Sequence, residues 1–232
     1  MRLMEKKARM GIWIFWGIIF WGFSVFAGSV PDTGLTTCYD EDGNVITCPS
    51  PGQNFYGQDA NYTIKPLSYT KLDGNGNALP ASAASWVMVR DNVTGLIWAV
   101  KTDDGSIHDR LNTYTWYDPD PATNGGNAGT PGEGTDTDDF INALNSAGFG
   151  GYSDWRVSTR QELNSICDYG RSGPAIKTEY FPNLSGLTET YWTSTTWAYS
   201  IESAWNIYFS SCGISWSPKY NYLRVRAVRG GP

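Results

Sequence analysis

The stretch Gly150-Gly151-Tyr152-Ser153-Asp154-Trp155-Arg156 lies in the C-terminal half of this chain and combines aromatic rings with an aspartate and an arginine. A helix-start pattern follows it directly. Ser158 and Gln161 have the spacing of a capping box, in which each side chain binds the other residue's backbone N–H. Leu163 and Ile166 would supply the buried face of that helix. We therefore expect a helix that begins at Ser158, just after the aromatic–arginine stretch.

Three further signatures occur along the chain, and together with the first they keep a fixed order. They are Asp91-Asn92-Val93-Thr94-Gly95-Leu96-Ile97-Trp98, Tyr191-Trp192-Thr193-Ser194-Thr195 and Tyr222-Leu223-Arg224-Val225-Arg226-Ala227-Val228-Arg229-Gly230-Gly231. The series closely resembles the Lcl C-terminal domain family of secreted and surface-exposed bacterial proteins. That resemblance implies a compact binding or adhesion module with a C-type-lectin-like fold, and members of the family have been linked to sulfated polysaccharides.

The hydrophobic pattern of the same region predicts an α+β domain with two helices in a mostly antiparallel, twisted sheet with long loops. Residues 86–90 and 96–100 are apolar, β-branched runs around a turn and predict a β-hairpin. A first helix is expected over Thr137–Ala147, with its N-cap at Asp136 or Thr137 and its end at Gly148. Further strands are expected at 191–194, 205–209, 214–216 and 222–228.

The N-terminus has the pattern of an export signal. Residues 11–26 form an apolar run of 16 residues, which is short against the roughly 20 residues that a membrane span needs. Val25-Phe26-Ala27 fits a cleavage site before Gly28, so residues 1–27 are predicted to be a signal peptide; an uncleaved anchor is the alternative. We expect an exported protein, periplasmic, cell-surface or secreted, without a stable membrane span after cleavage. The basic residues that precede the apolar run are Arg2, Lys6, Lys7 and Arg9.

Three segments are expected after the signal: an extension over 28–66, a linker rich in small and turn-forming residues over 67–85, and the main domain over 86–232. Four cysteines in an exported chain favour disulfide bonds, for which three pairings are possible. We favour Cys38–Cys48, which would close a short turn-containing loop in the extension, together with Cys167–Cys212.

The charge of the chain argues against polyanionic partners. Residues 1–27 carry a charge of +3, and removing them from a chain of formal charge −6 leaves about −9. Such a surface repels nucleic acid and anionic lipid at long range, but it permits cations, neutral sugars and basic proteins. Lys219, Arg224, Arg226 and Arg229 are the densest basic group. They either pack on Trp155 and pair with Asp154 or form a surface anion site.

Catalysis is not expected. His108 is the only histidine, and the chain contains neither a Gly-x-Ser-x-Gly elbow nor an activated cysteine motif. A structural calcium ion is a more plausible bound group, because a long Gly-, Asn- and Asp-rich loop is flanked by carboxylates whose hard oxygens suit calcium. The candidate calcium ligands are Asp118, Asp120, Asp136 and Asp138.

The candidate ligand face lies between Trp197 and Tyr222, where rings alternate with Ser and Asn as in adaptable binding loops. Trp205 is expected in the core. The residues expected to contact a ligand are Trp197, Tyr199, Trp216 and Tyr220. We therefore expect a secreted, non-enzymatic recognition or adhesion module for a glycan or a surface protein. The alternatives are a structural, self-assembling envelope protein that forms homo-oligomers, and a diversified ligand-binding target of a bacterial retroelement.

Overall fold

The computed structural model describes residues 29–122, 124, 129, 132, 134–184 and 189–230. The predicted signal peptide lies outside the described residues. Within the described part of the chain, no helix is long and apolar enough to cross a membrane.

The described chain contains ten strands and two α-helices. The N-terminal strands are β1 (Cys38–Tyr39), β2 (Val45–Ile46), β3 (Tyr69–Leu72), β4 (Met88–Asp91) and β5 (Ile97–Ala99). Helix α1 spans Thr137–Ser146, strand β6 spans Arg156–Val157, and helix α2 spans Arg160–Ser165. The C-terminal strands are β7 (Thr190–Thr196), β8 (Ser203–Tyr208), β9 (Gly213–Pro218) and β10 (Ala227–Arg229). The mixed α+β class predicted from the pattern is confirmed.

A five-stranded antiparallel sheet in the order β3-β4-β5-β10-β6 forms the centre of the domain. The predicted hairpin is its β4–β5 pair, with Val89 opposite Trp98. Strand β3 pairs with β4 over four residues, although it lies inside the range 67–85 that composition assigned to a linker. The turn-rich composition of that range belongs to the connections around β3, and the sheet begins before Trp86.

The last strand of the chain is shorter than the pattern over 222–228 indicated. Only Ala227–Arg229 forms β10, between β5 and β6. Upstream of it, Leu223 bridges Tyr114 and Arg224 bridges Tyr191 as isolated pairs. The chain therefore crosses from one sheet to the other within this segment, which ends the alternation of a single strand.

Both helices begin with side-chain caps. Asp136 caps α1 as predicted, because its Oδ1 accepts hydrogen bonds from the backbone N–H groups of Asp138 (2.9 Å) and Asp139 (3.0 Å). The capping box of α2 lies one residue later than predicted. It is formed by Thr159 and Glu162, whose carboxylate accepts the Thr159 N–H at 2.8 Å.

A three-stranded antiparallel sheet, β7-β8-β9, packs against the rest of the domain. Tyr191 and Ile207 enter one buried cluster together with Trp98 and Ile166 near α2. Trp192 and Ala204, on the opposite face, enter a second cluster with residues of α1 and the five-stranded sheet. The inner strands of this small sheet are consequently buried on both faces.

The two favoured disulfide pairings are both present. Cys38–Cys48 closes the β1–β2 hairpin of the extension, and Cys167–Cys212 joins the end of α2 to the β8–β9 turn. The extension also contacts the main domain: Tyr169 N–H donates to the Thr33 carbonyl at 2.8 Å. A side chain on Gly34 would collide with Asp168, so this contact is close.

The displaced capping box gives a stability prediction. Thr159→Ala should lower the free energy of unfolding by about 1 kcal/mol, because it leaves an N-terminal N–H of α2 without a partner. Ser158→Ala should cost less, since the Ser158 hydroxyl is buried without a hydrogen-bond partner in the described structure. Urea unfolding with an unchanged m-value measures both. A larger loss for Ser158→Ala would instead place the cap where the sequence pattern put it.

Candidate functional site

Four aromatic side chains meet at one end of the three-stranded sheet. Trp197 follows β7, Tyr199 lies in the β7–β8 turn, and Trp205 and Trp216 are cross-strand neighbours in β8 and β9. We call these four residues the tryptophan cluster. The cluster forms because the β8–β9 register places Trp205 directly opposite Trp216, while the β7–β8 turn brings Trp197 back over them.

The cluster presents a broad apolar surface to solvent. Trp197 and Trp216 are stacked, with ring centroids 4.2 Å apart and an interplanar angle of 12°. Tyr199 lies 5.3 Å from Trp197 and is 88% exposed, and Trp216 is 45% exposed. Because these rings already contact one another, they lose little side-chain entropy when a ligand binds to their exposed parts.

Trp205 is the ring that the sequence pattern placed wrongly. Instead of lying in the core, it is half-buried and packs edge-on against Trp197 at 6.4 Å. The guanidinium of Arg160, at the start of α2, lies over its ring at 4.9 Å. The cross-strand pairing with Trp216 determines this position, and a single strand's alternation contains no information about it.

Backbone and side-chain hydrogen bonds hold the sheet under the cluster. Thr193 Oγ1 donates to the Trp205 carbonyl at 2.8 Å, and the Asn206 amide donates to Ser217 Oγ at 3.0 Å. Trp197 N–H donates to the Ser203 carbonyl at 2.8 Å, which closes the β7–β8 turn. The rings therefore stand on a rigid base.

Tyr220 is not part of this cluster. It is 61% exposed, but no ring contact joins it to another described aromatic residue. Of the four predicted ligand-contact residues, the structure brings together Trp197, Tyr199 and Trp216, and it adds Trp205.

The predicted calcium ligands have other partners. Asp118 forms an ion pair with buried Lys219 (Nζ–Oδ2 2.9 Å), whose ammonium group also lies 4.1 Å from the Trp116 ring centroid. Asp136 caps α1, and Asp138 accepts from Asn142 Nδ2 at 2.7 Å. Asp120 Oδ1 accepts the Ala122 N–H. Across the described residues, no three acidic, His or Cys side chains form a group that could hold a metal ion.

The basic C-terminal residues are also engaged, so the surface anion site is not formed. Arg229 pairs with Asp154 (2.7 Å) and lies over the Tyr152 ring, rather than over Trp155 as expected. Arg224 lies 3.6 Å from Glu189. Arg226 is fully buried among the rings of Phe181, Tyr191 and Phe209, with centroids 5.3–5.8 Å from its guanidinium carbon.

A cleft of about 500 Å³ lies between residues 29–33 and α2. Its two carboxylates are both engaged: Asp32 accepts the N–H groups of Ile64 and Lys65, and Glu162 binds Arg156 and the α2 cap. The described lining of the cleft therefore presents no uncommitted carboxylate for acid–base chemistry.

The His108 ring packs within the domain. It lies against Phe149 with ring centroids 4.1 Å apart. Burial, reinforced by the positive charge of Lys101, lowers the pKa of His108 from 6.5 to about 4, while Asp104 acts in the opposite direction. The neutral ring is therefore the form that the fold accommodates.

The ion pair of Lys219 generates a second stability prediction. Lys219→Met should cost about 3–5 kcal/mol, because it leaves the Asp118 carboxylate buried without its cation. The double variant Lys219→Met/Asp118→Asn should recover part of that loss. Calcium or a chelator should leave the unfolding midpoint of the unmodified protein unchanged, and a midpoint that rises with calcium would contradict the assignment.

The lowered pKa of His108 predicts acid sensitivity. The unfolded chain binds a proton near pH 6.5 and the folded chain only near 4, so stability present above pH 6.5 is lost as the pH falls to 4. The loss should be about 1–3 kcal/mol, reduced from the full shift by partial exposure. His108→Gln should flatten this part of the stability profile. An unchanged profile would show that carboxylates alone cause the acid sensitivity.

Comparison with known proteins identifies the family to which the chain belongs. No curated protein matches the chain. The sequence profile of the Lcl C-terminal domain matches residues 87–229, which begin just before β4 and end with β10. The match covers more than half of the chain, so this protein belongs to the Lcl C-terminal domain family.

Proposed function

We propose that this protein is an exported, non-enzymatic recognition module that binds a neutral glycan on the tryptophan cluster. The observation that carries the proposal is the stacked Trp197–Trp216 pair with Tyr199 beside it, in which the Trp216 and Tyr199 rings are exposed and a hydrogen-bonded sheet lies behind them. A pyranose ring presents a face of C–H groups, and such a face packs on flat aromatic rings while its hydroxyls remain free for polar contacts.

The polar groups around the cluster suit the rim of such a site. Ser200 and Glu202 lie in the β7–β8 turn close to Tyr199, and the Ser200 hydroxyl donates to Glu202 Oε1 at 3.3 Å. A small hydroxyl both donates hydrogen bonds to sugar hydroxyls and accepts them, and a carboxylate accepts them. The family's extracellular character agrees with a ligand of this class.

The negative charge expected for the exported chain favours a neutral glycan as the ligand over the sulfated polysaccharides that the family resemblance implied. A surface of about −9 repels a sulfated chain. Arg160, the cation next to the cluster, is already stacked on Trp205. A neutral glycan incurs no such repulsion, and we propose it as the ligand class. A surface protein with an apolar patch is the second candidate, because the same exposed rings suit either partner.

Export and fold class belong to the same proposal. Two disulfides favour an oxidising compartment, which supports export to the periplasm, the cell surface or the medium. We also propose that the arrangement of two helices around antiparallel sheets is the C-type-lectin-like fold. Sugar binding here would not require calcium, since the candidate carboxylates are engaged in the ion pair, the helix cap and other hydrogen bonds.

A glycan array probed with residues 28–232 tests the proposal, with calcium and with chelator. We expect discrete neutral-glycan hits that are the same under both conditions. Trp216→Ala and Tyr199→Ala should each weaken binding by about tenfold or more, because each removes a stacking surface. Tyr220→Ala, an exposed ring outside the cluster, is the matched control and should retain binding. A blank array, or equal losses from all three variants, would reject the glycan site.

A further inference from the structure

Lys219 and Asp118 are in direct contact in the interior of the domain. The Lys219 side chain is fully buried, and its Nζ lies 2.9 Å from Asp118 Oδ2. The same nitrogen lies 3.2 Å from Thr196 Oγ1 and 4.1 Å from the centre of the Trp116 ring. Burial removes the water that would otherwise hydrate both charged groups. A lysine amine that touches a carboxyl group in such a site is a nucleophile beside the partner with which it forms an amide.

Backbone and side-chain hydrogen bonds fix both of these residues. The Lys219 N–H donates to the Glu202 carbonyl, and the Lys219 carbonyl accepts the Trp116 N–H, each at 2.8 Å. The Asp118 carbonyl accepts a hydrogen bond from Asn124 Nδ2 at 3.1 Å. Reacting groups that are held in contact in this way have effective concentrations that reach about 10⁵ M or more when they are well oriented. The fold therefore supplies the positioning that a condensation between free amine and carboxyl groups lacks.

The two oxygens of the Asp118 carboxylate meet different partners. Oδ2 contacts the Lys219 ammonium, whereas Oδ1 accepts the Asp120 N–H at 3.0 Å. A backbone N–H in this position stabilises negative charge that develops on Oδ1 when Cγ is attacked. The Thr196 hydroxyl contacts Nζ and can relay a proton from it. The site thus contains a nucleophile, an electrophile, an oxyanion donor and a proton relay.

We propose that Lys219 and Asp118 form a covalent isopeptide bond in the folded protein. One proton first passes from Nζ to Oδ2, so the ion pair becomes a neutral amine and a carboxylic acid. The lone pair of Nζ then attacks Cγ, and the electron pair of the C=O bond moves to Oδ1, where the Asp120 N–H stabilises it. When the C=O bond re-forms, the Cγ–Oδ2 bond breaks. Oδ2 leaves as water, with its own proton and one that Thr196 relays from Nζ. The product is a secondary amide, and no oxidant or further reactant is consumed.

Burial favours this amide over the ion pair that precedes it. Two buried charges are replaced by one neutral group, which removes the cost of keeping both charges out of water. The released water can leave through the Asp118 side of the site, because 10% of that side chain is exposed. The Lys219 side is closed to solvent, which restricts hydrolysis of the bond once it has formed.

The bond would join two positions that are 101 residues apart in sequence. It would close a loop that contains both helices and the strands β6 to β9. A force applied to the two ends of the chain would then pass through the amide and bypass this loop. Such a clamp suits a module that is exposed outside the cell, and it does not depend on whether the tryptophan cluster binds glycan.

Mass spectrometry of the denatured protein tests the bond directly. The chain over 28–232 should weigh one water molecule less than its sequence requires, after the hydrogens lost at the two disulfides are subtracted. Trypsin should not cleave after Lys219, and a branched peptide should join the segments that contain Asp118 and Lys219. Succinimide formation at an Asp–Gly sequence loses the same mass, so the branched peptide is the deciding observation. Normal cleavage after Lys219, even after prolonged incubation of the folded protein, would overturn the proposal.

Substitutions at the two reacting residues distinguish the bond from an ordinary ion pair. Lys219→Arg retains the cation but loses the nucleophilic amine, so this variant should show the full mass. Asp118→Asn should reach the same final mass as the unmodified protein, because ammonia leaves in place of water and the product is identical. Lys65→Arg, at an exposed position, is the matched control and should cross-link normally. A branched peptide at Lys219 in the Asp118→Ala variant would show that the amine reacts elsewhere and would contradict the assignment.

Discussion

The insertion of β10 between β5 and β6 is the constraint on which the rest of the domain depends. A strand of three residues near the C-terminus joins two parts of the sheet that lie far apart in sequence. Arg229 secures its end through Asp154 and the Tyr152 ring, and Arg156 donates to the Gly230 carbonyl at 3.0 Å. The aromatic–arginine stretch and the C-terminal signature are therefore two halves of one contact.

The same crossing places the candidate site. Before β10, Arg224 bridges Tyr191, and this contact holds the three-stranded sheet against the five-stranded one. The inner residues of β7 and β8 then face two buried clusters, while their outer end and β9 remain open. The tryptophan cluster, which is the proposed binding surface, thus arises from one feature, a small sheet that extends beyond the core that covers it.

Charged residues in this domain serve packing and capping more than ligand binding. Lys219 is fully buried against Asp118 and the Trp116 ring, and Arg226 is enclosed by three rings. Burial of Lys101, with Arg226 and Arg224 near, lowers the pKa of its ammonium group to about 7. The composition of a loop does not show which cation in the fold each of its carboxylates already meets, as the pairing of Asp118 with Lys219 illustrates.

The sequence alone determined the family, the hairpin, the first helix with its Asp136 cap, and the disulfide pairing that was favoured among three. Each of these depends on local spacing, on turn and cap chemistry or on a motif read as a whole. Only the tertiary structure decided that residues 69–72 join the sheet, that Trp205 enters the tryptophan cluster, and that Asp118 meets Lys219. The reason is physical: these contacts join residues distant in sequence, and the register of neighbouring strands sets them rather than the alternation within any one strand.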